Sequence, residues 1–392
     1  MNKNVLLLSL CQALLTTGNV LLIAVSALIG QQLAPSTELI TLPLALQFIG
    51  LMMSTIPASL IMRRIGRQQG FVLGNCIGIA GALCSATALL EHEFVLFCIG
   101  TLLLGIGIGF GTLYRFAAVD ASSPGQQGRA ISLVMAGGVI AAVLGPNLAV
   151  ASNQWFTAVP FVGSFYALAA LYSLTLIILS RVSIPKLDRA EQQDSGRPIT
   201  EIIRQPTFLV AVVAATLAYA VMNLLMSATP LAMARCGFGF DQAARVIQWH
   251  VLGMFLPSFF TGHLIQRIGT LRVILAGAVL MLCCCAINLT GQQEWQFWCA
   301  LTLLGIGWNF MFIGATQLVT TTYKEREKGK SQAANEFIIF SGVTLSSLSS
   351  GPLESSLGWT AMNQLAIPFI LTAAIASFAL MRIQAGKDIS DV

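Results

Sequence analysis

The sequence predicts an all-α integral membrane protein of about twelve transmembrane helices, arranged as two six-helix halves. Three observations support this fold class. The 392 residues are 56% hydrophobic and only 9% charged, whereas soluble domains carry roughly 25% charged residues. Apolar runs long enough to cross a bilayer recur from end to end, and the mean hydropathy is +0.79. Short motifs of the first half also recur in the second half in the same order.

The apolar runs predict the membrane spans, and one polar stretch separates the halves. The run from Val5 to Gly30 is too long for the hydrophobic region of a signal peptide, so it is the first span. The predicted spans are 5–30, 39–62, 70–90, 94–117, 130–151, 158–180, 207–231, 242–265, 272–290, 295–319, 332–353 and 361–382. We therefore expect an N-terminal half at 1–180, a cytoplasmic linker at 181–206 and a C-terminal half at 207–392.

The basic residues predict the orientation of the chain. If both termini lie inside, all of the 21 Lys and Arg residues except Arg235 and Arg245 fall on the inner side. An excess of basic residues in cytoplasmic loops is the positive-inside pattern. We therefore expect a multi-pass protein of the bacterial inner membrane with both termini in the cytoplasm. The net charge of +5 then reflects topology, and no nucleic-acid partner is expected.

Three motifs recur at an offset of about 200 residues. The run Leu103-Leu104-Gly105-Ile106-Gly107 returns as Leu303-Leu304-Gly305-Ile306-Gly307, Arg64-Ile65-Gly66 returns as Arg267-Ile268-Gly269, and Gly145-Pro146 returns as Gly351-Pro352. Each match alone is weak, because glycine is common in membrane helices. Their common order and near-constant offset indicate two related halves, with a solute path between them.

Over its whole length the chain resembles the major facilitator superfamily. The segment from Ser59 to Arg67 is similar to the signature loop that follows the second helix in that family, and Gly262 to Gly269 resembles its weaker second copy. Ser59 stands where the family has glycine and Arg63 where it has an acid, so the family's gating ion pair lacks that acid here. The resemblance implies a transporter, not an enzyme, with a cavity between the halves that opens alternately to each side.

Ionisable side chains are rare inside the predicted spans, so each one is a functional candidate. No carboxylate is predicted at mid-membrane depth, which argues against a proton relay at the centre. Six charged residues near helix ends are candidates for gating or structural contacts: Arg64, Arg67, Arg115, Asp120, Arg267 and Glu336.

Two pairs of soft metal ligands lie near the middle of the seventh and eighth predicted spans. Met222 and Met226 are four residues apart, as are His250 and Met254, so each pair shares one helix face. If the two faces meet, three thioethers and one imidazole converge on a site that suits Cu(I). Methionine is also a common filler of membrane cores, so the same spacing arises in ordinary packing.

Both pairs resemble the Met-x-x-x-Met and His-x-x-x-Met motifs of CcoA-type copper importers, and the stretch from Tyr114 to Asp120 is also similar to that group. The resemblance implies copper as the transported substrate, not as a prosthetic group, for cytochrome c oxidase assembly. It implies a thiol role for Cys236 in an outer loop, where Arg235 would favour the thiolate. A cytoplasmic copper chaperone is then a candidate partner. The implied copper ligands are Met222, Met226, His250 and Met254.

Closely similar proteins are linked to riboflavin uptake, so the alternative substrate is riboflavin or another small planar organic solute. Such a solute would be held by stacking and hydrogen bonding in an aromatic cavity. The candidate lining residues are Tyr114, Trp308, Asn309 and Phe310. Efflux of apolar drugs, and a membrane-embedded metal sensor or thiol oxidoreductase, are weaker alternatives. Cys283, Cys284 and Cys285 are consecutive, point in different directions and indicate ordinary packing or lipid-facing thiols.

Overall fold

The computed structural model describes residues 3–114, 117–118, 121, 127–153, 155–156, 158–183, 196–324 and 327–390, and these contain helices and no strand. A short helix, Ile199–Ile203, precedes the second half. The long helices are α1 Lys3–Leu33, α2 Leu42–Ile65, α3 Arg67–Leu90, α4 Phe94–Gly111, α5 Gln127–Asn153, α6 Val162–Leu179, α7 Pro206–Arg235, α8 Phe240–Phe255, α9 Ser258–Ile268, α10 Thr270–Thr290, α11 Glu294–Thr320 and α12 Lys328–Ser390.

Within the described ranges, ten helices are long and apolar enough to cross a membrane. This number is lower than the twelve predicted spans for two local reasons. The predicted span 242–265 is divided into α8 and α9 at Leu256-Pro257, because proline has no N–H for the helical ladder. The predicted spans 332–353 and 361–382 are both contained in α12, which changes direction at Gly358, where φ is 75°. The predicted all-α membrane fold is thereby confirmed.

The fourth predicted span, 94–117, is too long at its C-terminal end. The helix α4 ends at Gly111, because the next turn tightens: the Leu113 N–H donates to the Phe110 carbonyl only three residues earlier. The Thr112 hydroxyl also donates to the Gly109 carbonyl at 2.7 Å.

The repeated glycine motif packs in the same way in both halves. A Cβ at Gly105 would lie 1.9 Å from the Gln47 carbonyl oxygen on α2, and a Cβ at Gly305 would lie 2.3 Å from the His250 carbonyl oxygen on α8. Glycine is therefore required wherever α4 and α11 touch these neighbours backbone to backbone. The repeated Arg-Ile-Gly motif also has one structural role, since Gly66 and Gly269 have φ values of 95° and 89° in the turns after α2 and α9.

The most extensive contacts between α1–α6 and α7–α12 come from three helix pairs: α5 packs on α8, α2 on α12 and α1 on α7. We call the end of the bundle where α6 ends and α7 begins the linker end, and the other end the opposite end. Contacts between the halves close the opposite end. The Gly351 N–H donates to Thr41 Oγ1 at 3.1 Å, and the Phe161 and Phe240 rings meet edge to face at 5.5 Å. Leu231 of α7 is buried in a cluster with residues of the first half, Ala27 and Ile40.

At the linker end, the described end of the linker is held against the loop between α11 and α12. Arg197 donates from Nε and Nη2 to the two carboxylate oxygens of Glu327, at 2.9 and 2.7 Å. The carboxylate also accepts the backbone N–H groups of Arg197 and Lys324. The Lys330 ammonium bonds the Arg197 carbonyl. Residues 184–195 of the predicted linker lie outside the described residues.

Candidate substrate cavity

A cavity lies between the two halves, near the middle of the bundle. Its walls come from α1, α2, α7, α8 and α11, so both halves contribute. The cavity measures about 80 Å³. Pockets that enclose drug-sized ligands are roughly 300–1,000 Å³, so the helices must separate before such a solute can enter. The lining residues are Thr16, Asn19, Val20, Ile23, Phe48, Tyr219, Met222, Asn223, Met226, Ile247, Val251, Met254, Phe255 and Trp308.

The lining carries no charge. None of the residues lining this cavity, within the described part of the chain, is acidic, basic or a histidine. Because an uncompensated charge is expensive at membrane depth, this lining suits a solute without net charge.

One wall of the cavity is aromatic. The Trp308 indole stacks on the Phe312 ring one turn away on α11, with centroids 4.8 Å apart and planes within 12°. Tyr219 of α7 meets both rings edge to face, at 5.2 and 5.6 Å. These contacts immobilise the indole before a solute arrives. A planar ring can bind such a fixed aromatic face at a small entropic cost.

Two amide side chains provide part of the polar lining. On α1, the Asn19 Oδ1 accepts a 2.6 Å hydrogen bond from Gln47 Nε2 of α2. On α7, the Asn223 Nδ2 donates to Ser346 Oγ of α12 at 3.0 Å, which leaves Asn223 Oδ1 buried without a partner. The sequence reasoning missed both residues and Tyr219. A search for asparagine in apolar spans, parallel to the search for charges, finds Asn19 and Asn223.

The implied copper ligands are only partly brought together. Met222, Met226 and Met254 line the cavity, but His250 does not. The His250 ring is fully buried, and its Nδ1 lies 2.7 Å from the Leu301 carbonyl of α11. Since a carbonyl only accepts, Nδ1 carries the proton and the ring is tied to α11. The three thioethers form an apolar wall of the cavity.

Of the four residues predicted for an organic-solute cavity, Trp308 is a lining residue and the other three are not. Tyr114 is fully buried among α3 residues: its hydroxyl accepts from Asn75 Nδ2 at 2.8 Å, and its ring lies 4.4 Å from that of Phe71. Phe310 is half-buried on another side of α11. Successive helical residues point about 100° apart, so neighbours of a lining residue face elsewhere.

Asn309 joins α11 to the break between α8 and α9. Its Nδ2 donates to the Met254 carbonyl at 2.6 Å and to Ser258 Oγ at 2.7 Å, and its Oδ1 accepts from Thr261 Oγ1 at 2.7 Å. The Met254 carbonyl lies just before Pro257, where the helical ladder is interrupted. The amide therefore ties α11 to residues on both sides of the proline break, and its role is structural.

The charged candidates lie at helix ends, away from the cavity lining. Arg64 and Arg267 are exposed at the ends of α2 and α9, Arg67 begins α3, and Glu336 is half-buried in the first part of α12. Arg115 and Asp120 lie outside the described residues.

Cys236 follows α7 at the opposite end and lies far along that helix from the lining methionines. Its thiol donates to Gln292 Oε1 at 3.0 Å. Arg235 is paired with Glu354, with Nη2 and Oε2 3.0 Å apart. Desolvation and the Glu354 carboxylate raise the pKa of the Cys236 thiol. Partial burial, and secondly the Glu354 carboxylate, therefore disfavour the thiolate expected beside Arg235.

Comparison with known proteins identifies the family. The model described as Major Facilitator Superfamily matches residues 8–346 and 246–389. The chain is 41% identical over 370 residues to the Riboflavin transporter RfnT of Brucella anthropi, covering 94% of this chain and 93% of the relative. It is 28% and 26% identical to two uncharacterized MFS-type transporters of Bacillus subtilis, YdeG and YddS, over 81% of this chain and 77% of each relative.

The riboflavin transporter contradicts the main expectation for this protein's substrate. The prediction that the protein imports copper was wrong, and the associated predictions of metal binding, a copper chaperone and a role in oxidase assembly lose their support. The similarity instead favours the alternative substrate, a small planar organic solute. The predicted superfamily is confirmed by the family match and by this relative: the chain is a multi-pass membrane transporter, not an enzyme, of the major facilitator superfamily.

Proposed function

We propose that this protein imports riboflavin, or a closely similar planar neutral solute, across the bacterial inner membrane by alternating access. One observation carries the proposal: Trp308, which is immobilised by its stack on Phe312, lines an uncharged cavity between the two halves. Riboflavin is a neutral, largely planar tricyclic molecule at pH 7, and its ring can stack on an indole face. The 41% identity to a riboflavin transporter supports the same solute.

The proposed transport cycle moves the halves 1–180 and 207–392 as units around the cavity, with 181–206 as the linker. The excess of basic residues supports a cytoplasmic linker end with both termini inside. The contacts of Thr41 with Gly351 and of Phe161 with Phe240 would then seal the periplasmic end and break when the solute enters. Arg64, Arg67, Arg267 and Glu336 remain candidates for gating or structural contacts at the cytoplasmic end.

The test is uptake of radioactive riboflavin by a bacterial strain that lacks its own riboflavin transporter and carries this protein. Changing Trp308→Ala removes the stacking face, and base–aromatic stacking is worth about 1–3 kcal/mol, so kcat/KM should fall at least about fivefold. Trp249→Ala is the matched control. Like Trp308, Trp249 has an edge-to-face aromatic partner, in this case Trp298 at 5.3 Å. Unlike Trp308, it is 45% exposed on the outer surface of the bundle.

Uptake should depend on the wild-type protein, fall with Trp308→Ala and stay within about twofold of wild type with Trp249→Ala. Membrane protein levels are measured in each strain to normalise the rates. If wild-type cells accumulate no more riboflavin than cells without the protein, the proposal is wrong. If both tryptophan variants lose uptake equally, the stacking face does not carry the function.

A further inference from the structure

The side chain of Asn223 has one buried atom whose hydrogen-bonding capacity is unused. Asn223 lies in the middle of α7, lines the cavity and is fully buried. Its Nδ2 is engaged by α12, with Ser346 Oγ at 3.0 Å and the Val343 carbonyl at 3.4 Å. Its Oδ1 has no partner. Buried carbonyl oxygens are nearly always satisfied, so this acceptor indicates a missing donor.

The neighbouring serine fixes which way the Asn223 amide points. The Ser346 hydroxyl donates its proton to the Val343 carbonyl of its own helix, at 2.8 Å. Ser346 Oγ can then only accept, and the Val343 carbonyl also only accepts. Both groups therefore require the donor side of the amide, Nδ2, to face α12. A flipped amide would place an acceptor against two acceptors, so Oδ1 is held on the side away from α12.

The aromatic wall of the cavity contains a hydrogen-bond donor that has no partner, and this donor complements the unpaired Asn223 acceptor. The Trp308 Nε1 is a donor only, and it is buried without a partner in the residues that the structure describes. Trp308 lines the same cavity as Asn223, on the facing helix α11. Two residues that line this cavity therefore carry one acceptor and one donor that no described group of the protein satisfies. A site of this kind selects solutes that satisfy both groups and rejects analogues that leave them unpaired.

We propose that Asn223 determines solute specificity by accepting a hydrogen bond from the imide N–H of a planar heteroaromatic ring, while Trp308 Nε1 donates to an oxygen of the same solute. The inference rests on the proposed function and specifies its substrate class: planar rings with an N–H between two carbonyl groups. Riboflavin belongs to this class, and its ring has a single N–H, at N3. Its sugar-like chain carries hydroxyl donors, which are the competing source of a proton for Asn223 Oδ1.

The experiment compares three probes as inhibitors of radioactive riboflavin uptake: unlabelled riboflavin, 3-methylriboflavin, which lacks the ring N–H, and lumiflavin, which keeps the N–H but lacks the hydroxylated chain. For the wild-type protein, 3-methylriboflavin should inhibit roughly tenfold more weakly than riboflavin, the effect of one unpaired hydrogen bond. In the Asn223→Leu variant this difference should shrink to about twofold or less, because no acceptor remains to be left unpaired.

Each result has a definite consequence. If the wild-type protein transports riboflavin but 3-methylriboflavin inhibits equally well, the inference is overturned and the proposed function stands; this comparison needs no variant to fold. If lumiflavin, rather than 3-methylriboflavin, is discriminated by the wild type and not by Asn223→Leu, Asn223 binds the hydroxylated chain and the inference is wrong. If the wild type takes up no riboflavin, both proposals fall.

A second variant covers the case in which Asn223→Leu does not reach the membrane. Ser346→Ala keeps Asn223 but removes the nearer of the two acceptors that orient its amide, leaving only the Val343 carbonyl at 3.4 Å. The amide can then turn over, so discrimination against 3-methylriboflavin should fall several-fold while riboflavin uptake persists. Unchanged discrimination in Ser346→Ala, with normal protein levels, would contradict an oriented Asn223 acceptor.

Discussion

Replacing Asn309 by leucine should destabilise the protein without weakening its affinity for the solute. Leucine has a similar size but cannot make the three hydrogen bonds to the Met254 carbonyl, Ser258 Oγ and Thr261 Oγ1, whose lengths are 2.6, 2.7 and 2.7 Å. Hydrogen bonds between membrane helices average about 0.6 kcal/mol, so losing three costs about 2 kcal/mol, with about 5 kcal/mol as the upper bound. A loss of about 2 kcal/mol is roughly a thirtyfold change in the unfolding equilibrium.

The assay is unfolding of the purified protein in mixed micelles by increasing amounts of a denaturing detergent, followed by tryptophan fluorescence. Asn147→Leu is the control, because Asn147 is exposed on α5 and its Nδ2 only donates to the Val143 carbonyl of its own helix. The control should unfold like the wild type. The apparent KM for the solute, normalised to folded protein, should stay within about twofold in both variants.

Two outcomes refute this reasoning about Asn309. If Asn309→Leu unfolds at the same detergent concentration as Asn147→Leu, the hydrogen bonds across the proline break contribute no net stability. If its stability is normal and its KM rises tenfold, Asn309 contacts the solute, as the sequence predicted.

Two further predictions concern the two ends of the bundle. Gly351→Val should keep riboflavin binding in detergent but reduce uptake more than tenfold, because even a Cβ at this position would lie 2.7 Å from Thr41 Oγ1 and prevent closure of the opposite end. Gly262→Val is the control, since no neighbour lies within 4 Å of a Cβ at that position. Equal uptake by the two variants would contradict the role of the Thr41–Gly351 contact. Glu327→Ala should accelerate hydrogen exchange at the amides of Arg197 and Lys324, which donate to that carboxylate, whereas Glu294→Ala should not. The Arg197 guanidinium and the two amides hold the pKa of Glu327 well below its usual range, so the contact is complete above the ordinary carboxyl pKa and is lost only as the pH falls towards the lowered value. Wild-type protection at these amides should accordingly be constant between about pH 5 and 8, and protection that falls within that window argues against a paired carboxylate.

The membrane fold was predictable from the sequence, because it depends on quantities that are local in the chain. Bilayer thickness requires long apolar helices, and runs of apolar residues show where they lie. The repeated glycines were recognised in the sequence only as a sign of related halves, and the structure gives the reason for them. Gly105 and Gly305 recur because α4 and α11 each approach a neighbour so closely that no side chain fits. The differences from the predicted spans lie at boundaries, at Gly111, at the Leu256-Pro257 break and at Gly358 within α12, where local backbone geometry rather than hydropathy decides the outcome.

The candidate site was predictable only in part, because helical spacing specifies which residues share a face but not where that face points. The pattern correctly grouped Met222 with Met226, and both line the cavity, but it also grouped His250 with Met254, and the His250 ring faces Leu301 instead. Trp308 and Asn309 are adjacent in sequence, yet one lines the cavity and the other braces α8 and α9. The rotation of each helix is set by its packing against all its neighbours.

The sequence by itself determined that this chain crosses the membrane many times, and it predicted two related halves, because hydropathy, charge distribution and internal repetition are properties of the chain alone. Only the tertiary structure decided which polar and aromatic groups meet in one cavity. Asn223 and Ser346, which orient the proposed acceptor, are far apart in sequence and belong to helices α7 and α12. Their contact exists because the packing of whole helices brings those faces together, and no local pattern in either segment encodes it.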